Sequence, residues 1–98
     1  MPKVNIEYNS PLDAEATFTK VKEMLNSDED LRKIDSSIQC DFADTARTGT
    51  VKGSKFQAEM NVSDSSQVNI TVDLPFILGA FKGQVKSQIE KKLAQILA

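Results

Sequence analysis

The most regular pattern in the chain is a repeat of apolar residues every four positions near its C-terminal end. Asp73 fits the cap of a helix and Pro75 its first turn. The repeat consists of Ile77, Phe81, Val85, Ile89, Leu93 and Leu97, and is widened by Leu74, Leu78 and Ile96. This predicts one long amphipathic helix over residues 74–98 that buries one face. Each step turns the stripe by about 40°, and a twisted sheet is a surface that could follow it.

Two glycines lie in the first half of this predicted helix. Gly79 and Gly83 form a G-x-x-x-G pattern, which allows close approach of backbones. We favour close packing on the chain's own sheet, or a kink, over contact with a partner helix or a ligand. The segment carries too many charges for a membrane span.

The N-terminal part of the chain predicts a strand followed by a helix. Val4, Ile6 and Tyr8 alternate with polar residues, which is the period of a half-buried strand. Ser10 then fits a helix cap, with Pro11 at the first helical position. The helical stripe consists of Ala14, Phe18, Val21, Met24 and Leu25. A polar, acidic run over residues 26–30 ends this helix, and residues 31–35 could add a short helical turn.

The middle of the chain predicts four further strands. Alternation is clear at residues 38–42, weak at 45–50, and clear again at 56–62 and 68–74. All have one apolar and one polar face. We therefore predict one α+β domain over residues 1–98, in two layers, with the order β-α-β-β-β-β-α. An antiparallel sheet of four to five strands carries two helices on one face, the last helix being long.

Composition restricts the classes of function. The net charge is −2, which disfavours a general nucleic-acid binder. There is no apolar leader and no apolar run long enough to span a membrane, so we expect a cytoplasmic protein. The single cysteine, Cys40, agrees with a reducing compartment. A monomer and a homodimer, paired through a sheet edge or the Gly79–Gly83 face, both fit the pattern.

No residue pattern predicts catalysis, a cofactor or a metal. The chain contains no histidine, so it has no histidine base or imidazole ligand. Cys40 is in phase with Ile38 and Phe42, which favours a buried structural cysteine over a nucleophile. The acidic residues Asp28, Asp30 and Asp35 lack the spacing of a calcium loop and fit a solvated segment. We therefore expect a protein that is not an enzyme.

One cationic cluster lies on the predicted closing helix. It consists of Lys82, Lys86, Lys91 and Lys92. Lys82 and Lys86 are one turn apart beside the apolar stripe, where their stems can cover apolar surface. The favoured interpretation is a solvated helix face, and the alternative is contact with an anionic or amphipathic surface.

Three segments resemble the polyhydroxyalkanoic acid system protein family. They are the opening strand Met1-Pro2-Lys3-Val4-Asn5-Ile6-Glu7, the turn Val51-Lys52-Gly53, and Val68-Asn69-Ile70-Thr71-Val72-Asp73-Leu74-Pro75-Phe76-Ile77-Leu78 running into a lysine-bearing helix. The resemblance implies a small bacterial cytosolic protein of storage-polyester synthesis or use. It implies no catalytic residues.

This resemblance leads to one functional hypothesis with a candidate surface. We expect a non-enzymatic accessory protein of polyhydroxyalkanoate storage that binds the granule surface or a granule protein. Such binding needs apolar side chains left exposed after folding. The candidate surface is Phe76, Leu78, Lys82 and Lys86.

Two other classes of function remain open. The first is a small-ligand carrier with a pocket between the sheet and the C-terminal helix, which Ala58, Gly79 and Ala80 could line. The second, less favoured, is a ribosome-associated stress factor, because such proteins share a similar order of elements. A net acidic chain is a poor match to ribosomal RNA.

Overall fold

The predicted order of elements is confirmed by the structure. It is a computed structural model that describes residues 3–74 and 76–97, apart from the side chains of residues 30, 34 and 76–78. The elements are β1 (Lys3–Asn9), α1 (Ala14–Ser27), α2 (Glu29–Ile34), β2 (Gln39–Ala43), β3 (Thr48–Lys52), β4 (Gln57–Val62), β5 (Gln67–Asp73), a 3₁₀ segment (Phe76–Phe81) and α3 (Lys82–Leu97). The short helical turn expected at residues 31–35 is α2.

The five strands form one antiparallel sheet in the order β1-β5-β4-β3-β2. Strands β2 to β5 follow each other as hairpins, because antiparallel neighbours need only short connections. The opening strand β1 returns to pair with β5, so that Ile6 lies opposite Ile70. This places β1 and β2 at the two edges of the sheet.

The core lies between one face of the sheet and the helices. The strands supply Val4, Ile6, Val51, Met60, Val62, Val68, Ile70 and Val72, and the helices supply Phe18, Val21, Leu25, Leu93 and Leu97. The alternate residues of each strand, such as Asn5, Glu59 and Asp41, point to the opposite, exposed face. Both long helices therefore pack on the same side of the sheet, as the alternation predicted.

The edge strand β2 is attached to α1 by an aromatic pair. Phe42 meets Phe18 edge to face, with ring centroids 6.3 Å apart. Phe42 pairs with Gly49 across β2 and β3, and a Cβ atom at position 49 would lie 2.6 Å from the Phe42 ring. Gly49 is therefore needed to let the ring lie against the backbone of β3.

The start of α1 differs from the prediction. The cap is Asp13, whose Oδ1 accepts a hydrogen bond from the Ala16 N–H at 2.7 Å, and Ser10 lies outside the helix. The Ser10 hydroxyl instead accepts hydrogen bonds from the Leu12 N–H and from the buried Thr17 hydroxyl. Ser10 thus holds the connection from β1 against the helix.

The start of the closing helix also differs from the prediction. Asp73 is the last residue of β5 instead of a helix cap, and Pro75 lies outside the described residues. Phe76–Phe81 forms a 3₁₀ helix, and the α-helix begins only at Lys82. Gly79 and Gly83 weaken α-helix propensity here, and 3₁₀ turns are frequent at helix ends.

Candidate functional site

One aromatic side chain is exposed where the 3₁₀ segment meets α3. Phe81 is 52% exposed, so its predicted place in the buried stripe is wrong. The neighbouring Lys82 and Lys86, two members of the predicted candidate surface, are exposed. We call these three residues the Phe81 surface. The other two predicted members, Phe76 and Leu78, have side chains outside the described residues.

Gly83 lies beside this surface and contacts no other element. A Cβ atom added there would meet nothing within 4 Å. Of the two favoured interpretations, close packing on the chain's own sheet or a kink, the first is therefore wrong for Gly83. Space for close approach exists on this side of α3, but within the described part of the chain no element uses it.

One lysine of the predicted cationic cluster, Lys92, forms an ion pair with an acidic residue. Lys92 Nζ lies 2.7 Å from Asp28 Oδ2, and the Asp28 side chain is only 6% exposed. Asp28 precedes α2, where its other carboxylate oxygen accepts a weak hydrogen bond from the Leu31 N–H at 3.4 Å. The interpretation of Asp28 as part of a solvated acidic loop is therefore wrong, because it joins α3 to the junction of α1 and α2.

An apolar cavity of about 110 Å³ lies between the sheet and α3. Its floor on the sheet side consists of Val51, Phe56, Ala58, Ile70, Val72 and Leu74, and its helical walls include Met24, Leu25, Leu31, Val85 and Ile89. The polar residues among the described lining are Asp28, Gln88 and Lys92. Ala58 thus lies where a pocket was predicted, whereas Gly79 and Ala80 are not among the described lining residues.

The burial of α3 explains why this space is left. Leu93 and Leu97 are fully buried, but Val85 and Ile89 are only half-buried and Phe81 is exposed. The N-terminal half of α3 therefore stands away from the strands.

Two larger depressions beside α1 are less suited to a ligand. Polar and charged side chains line most of both, among them Lys20 and Glu23 in one and Lys22 and Asp44 in the other. Water competes well in such sites, whereas binding pockets are mostly apolar with a few placed polar groups. The cavity under α3 has that composition.

A buried carboxylate fixes the turn beside the cavity floor. Asp35 is 2% exposed and accepts hydrogen bonds from the Ser37 N–H and hydroxyl and from the Lys55 N–H. The hydrogen bond from the Ser37 hydroxyl, with that from the Lys55 N–H, lowers the pKa of Asp35 to about 2. A Cβ atom at Gly53 would collide with this carboxylate. The interpretation of Asp35 as part of a solvated segment is therefore wrong, because Lys55, twenty residues further along the chain, meets it only after folding.

Cys40 is a half-buried free cysteine on the edge strand β2. Its Sγ lies 3.8 Å from the carbonyl oxygen of Leu25, and its side chain packs against the core. The predicted structural role agrees with this position.

The described residues contain neither a candidate metal site nor a helix suited to a membrane span. No group of three or more histidine, cysteine or acidic side chains there could hold a metal ion. In the same part of the chain, no helix combines the length and the apolar character that a membrane span requires.

Comparison with known protein families identifies the family of the chain. The polyhydroxyalkanoic acid system protein family matches residues 4–97. The chain belongs to this family. The curated proteins and the solved structures contain no match to the chain. The resemblance seen in the three sequence segments is thus confirmed, and membership supports a role related to polyhydroxyalkanoate.

Both candidate sites lie within the matched region. The Phe81 surface and the cavity are formed by residues between positions 4 and 97. The family relationship therefore applies to the part of the chain that carries them, and the chemistry of each site has to be argued from its own residues.

Proposed function

We propose that the protein is a non-enzymatic accessory protein of polyhydroxyalkanoate storage, acts in the cytoplasm, and binds the granule surface through the Phe81 surface. Family membership supports the relation to polyhydroxyalkanoate. The observation that carries the granule proposal is the exposure of Phe81, 52%, between a 3₁₀ segment and a lysine-bearing helix. The absence of histidine from the chain supports a role without acid–base catalysis.

An exposed aromatic ring beside lysines suits the boundary between an apolar phase and water. The ring can enter the apolar phase. The aliphatic parts of the Lys82 and Lys86 side chains can contact the surface of that phase, while their ammonium groups stay in water. Burial of a phenylalanine side chain contributes about 1.5–3 kcal/mol. One such residue supports reversible binding instead of permanent anchoring.

The experiment is co-sedimentation of the purified protein with isolated polyester granules. We expect saturable binding of the wild type, loss of binding in Phe81→Ser, and retention in Phe81→Leu, which keeps an apolar side chain. Since Phe81 is exposed, both variants should fold, which circular dichroism checks. Equal binding of Phe81→Ser and wild type, or no binding of the wild type, would contradict the proposal.

The lysines are tested separately with a charge-matched control. Lys82→Gln/Lys86→Gln should weaken granule binding, whereas Lys52→Gln/Lys55→Gln removes the same charge away from α3 and should not. Lys52, Lys55, Lys82 and Lys86 all have exposed side chains. Equal weakening by both pairs would mean that net charge acts, and not the Phe81 surface.

The alternative of a small-ligand carrier is favoured by one observation, the cavity between the sheet and α3. A carrier and a granule-binding protein are compatible, because the two sites use different residues. The ribosome-associated alternative stays less favoured, since the net charge of −2 opposes binding to RNA.

A further inference from the structure

We infer that the cavity under the N-terminal half of α3 holds the end of an aliphatic chain, about four carbon atoms deep, whose head group stays outside at the entrance. The space measures about 110 Å³. The inference rests on the small-ligand alternative given above, for which it names the class of ligand. It does not depend on granule binding or on the Phe81 surface.

The walls of the cavity favour an apolar group over a polar one. On the sheet side, Ile70 and Val72 are buried core residues whose side chains offer no hydrogen bond. In the helical wall, Asp28 and Lys92 form an ion pair, and both have further partners within the protein. A polar group placed inside would therefore lose its water without a replacement, which is unfavourable.

The cavity opens to solvent between α3 and the junction of α1 and α2. Four apolar residues of the lining are only half-buried there: Met24, Leu31, Val85 and Ile89. Gln88, which lines the same space, is exposed. A chain can therefore enter with its methyl end first and without unfolding of the sheet, while a polar head group near Gln88 keeps its contact with water.

The volume sets the length of the buried part of the chain. An apolar cavity of about 150 Å³ accepts one benzene molecule, which corresponds to about 25 Å³ for each carbon atom. On this scale, a cavity of 110 Å³ holds about four carbon atoms. A butyl group therefore fills the space, and any further carbon atoms of a longer chain remain outside.

The first test is an NMR titration of protein that carries ¹³C-labelled methyl groups with straight-chain alcohols. We expect n-butanol to cause saturable shifts of the methyl groups of Ala58, Val72 and Ile89, which line the cavity. From ethanol to n-butanol, the affinity should rise about fourfold for each carbon atom, the ratio that burial of one CH₂ group gives. From n-butanol to n-hexanol, it should rise less than about twofold for each carbon atom. Shifts that do not saturate, shifts confined to other residues, or an unchanged rise up to n-hexanol would overturn the inference.

A second probe tests which end of the chain enters the cavity. Butane-1,4-diol has as many carbon atoms as n-butanol but has to place a hydroxyl group inside, so it should bind at least about tenfold more weakly. In the n-butanol complex, the terminal methyl group should show NOEs to Val72, and the CH₂ group that carries the hydroxyl should show NOEs to Gln88. Equal affinity of the two alcohols, or the reverse orientation, would contradict the inference.

Substitutions locate the site. Ala58→Leu fills the cavity from the sheet and should weaken binding of n-butanol at least about tenfold. Ala46→Leu adds the same side chain at an exposed position outside the lining and should bind like the wild type. If Ala58→Leu does not fold, Ala58→Val is the smaller test. Unchanged affinity in a folded position-58 variant would refute the inference.

Failure of this site and failure of granule binding are distinguishable. Phe81→Ser should bind n-butanol with the affinity of the wild type, because Phe81 is not among the described lining residues. Ala58→Leu should sediment with granules as the wild type does. Loss of n-butanol binding in folded Phe81→Ser would mean that the exposed ring is part of the site, and would overturn the inference of a separate cavity site.

Discussion

The two ends of α3 carry the same apolar repeat and have different surroundings. At the C-terminal end, Leu93 and Leu97 are fully buried, against β1 and α1. At the N-terminal end, Val85 and Ile89 are half-buried, and Phe81, one step earlier, is 52% exposed. An identical pattern thus yields core at one end and a cavity with an exposed ring at the other.

The cause is geometric. A repeat of four residues turns by about 40° per step on an α-helix, so the stripe turns about 120° from Val85 to Leu97. Within the described stripe of α3, Leu93 and Leu97 are fully buried, whereas Val85 and Ile89 are half-buried. The C-terminal half of α3 packs closely against β1 and α1. Its N-terminal half lies farther from the sheet, above β3 to β5. The cavity and the Phe81 surface both lie at the N-terminal end of α3, which is farther from the sheet.

The largest loss of stability is expected for a substitution at the C-terminal end of α3, where the side chains are fully buried. Leu93→Ala is expected to lower the free energy of unfolding by about 2–5 kcal/mol, because it leaves a new cavity among fully buried neighbours. Urea unfolding measures this. Ile89→Ala, beside a space that is already present, should cost clearly less, and equal losses would contradict the comparison.

A smaller effect, an increase in stability, is expected when the cavity under the N-terminal half of α3 is filled. Ala58→Leu should raise the free energy of unfolding by about 0.5–2 kcal/mol, because it fills apolar space. The melting temperature measures the gain, with Ala46→Leu as the control. A loss of stability would mean that the cavity cannot accept the side chain and that its walls are fixed.

The stability of the protein should decrease in acid, because Asp35 lies in the turn beside the floor of the cavity. The pKa of Asp35 is lowered from 3.8 to about 2, so its stabilising contribution is complete above about pH 4 and is lost as the pH falls towards 2. Unfolding followed between pH 2 and 5 measures this. Asp35→Asn should flatten this slope, whereas Asp41→Asn, at an exposed position, should not. An unchanged slope in Asp35→Asn would refute the assignment.

The smallest effect on stability is expected at the exposed ring. Phe81→Ala should change the free energy of unfolding by less than about 0.5 kcal/mol, as surface substitutions usually do. A loss of about 3 kcal/mol, typical of a buried aromatic residue, would place Phe81 in the core and remove the basis of the granule proposal. The same urea titration used for Leu93→Ala measures it.

The local patterns predicted more of the fold than of the sites. Alternation identified β1, β2, β4 and β5, because each has one buried face, and it also placed the helices on one side. The weak strand predicted at residues 45–50 is displaced: β3 is Thr48–Lys52, and residues 45–47 belong to the turn before it.

The helix starts were less well predicted, since Ser10 and Asp13 are both good caps and their surroundings chose Asp13. The buried position of Asp35 was not predictable, because only Ser37 is near it in the chain, whereas Ser54 and Lys55 meet it only after folding.

The sequence by itself determined the order of elements, the faces of the strands, the family and the presence of a long amphipathic closing helix. Only the tertiary structure decided which part of that helix reaches the sheet. The reason is that periodicity describes how a helix could be buried, whereas burial requires a surface at the right distance and angle. Leu97 meets such a surface, Ile89 meets it in part, and Phe81 is left in solvent.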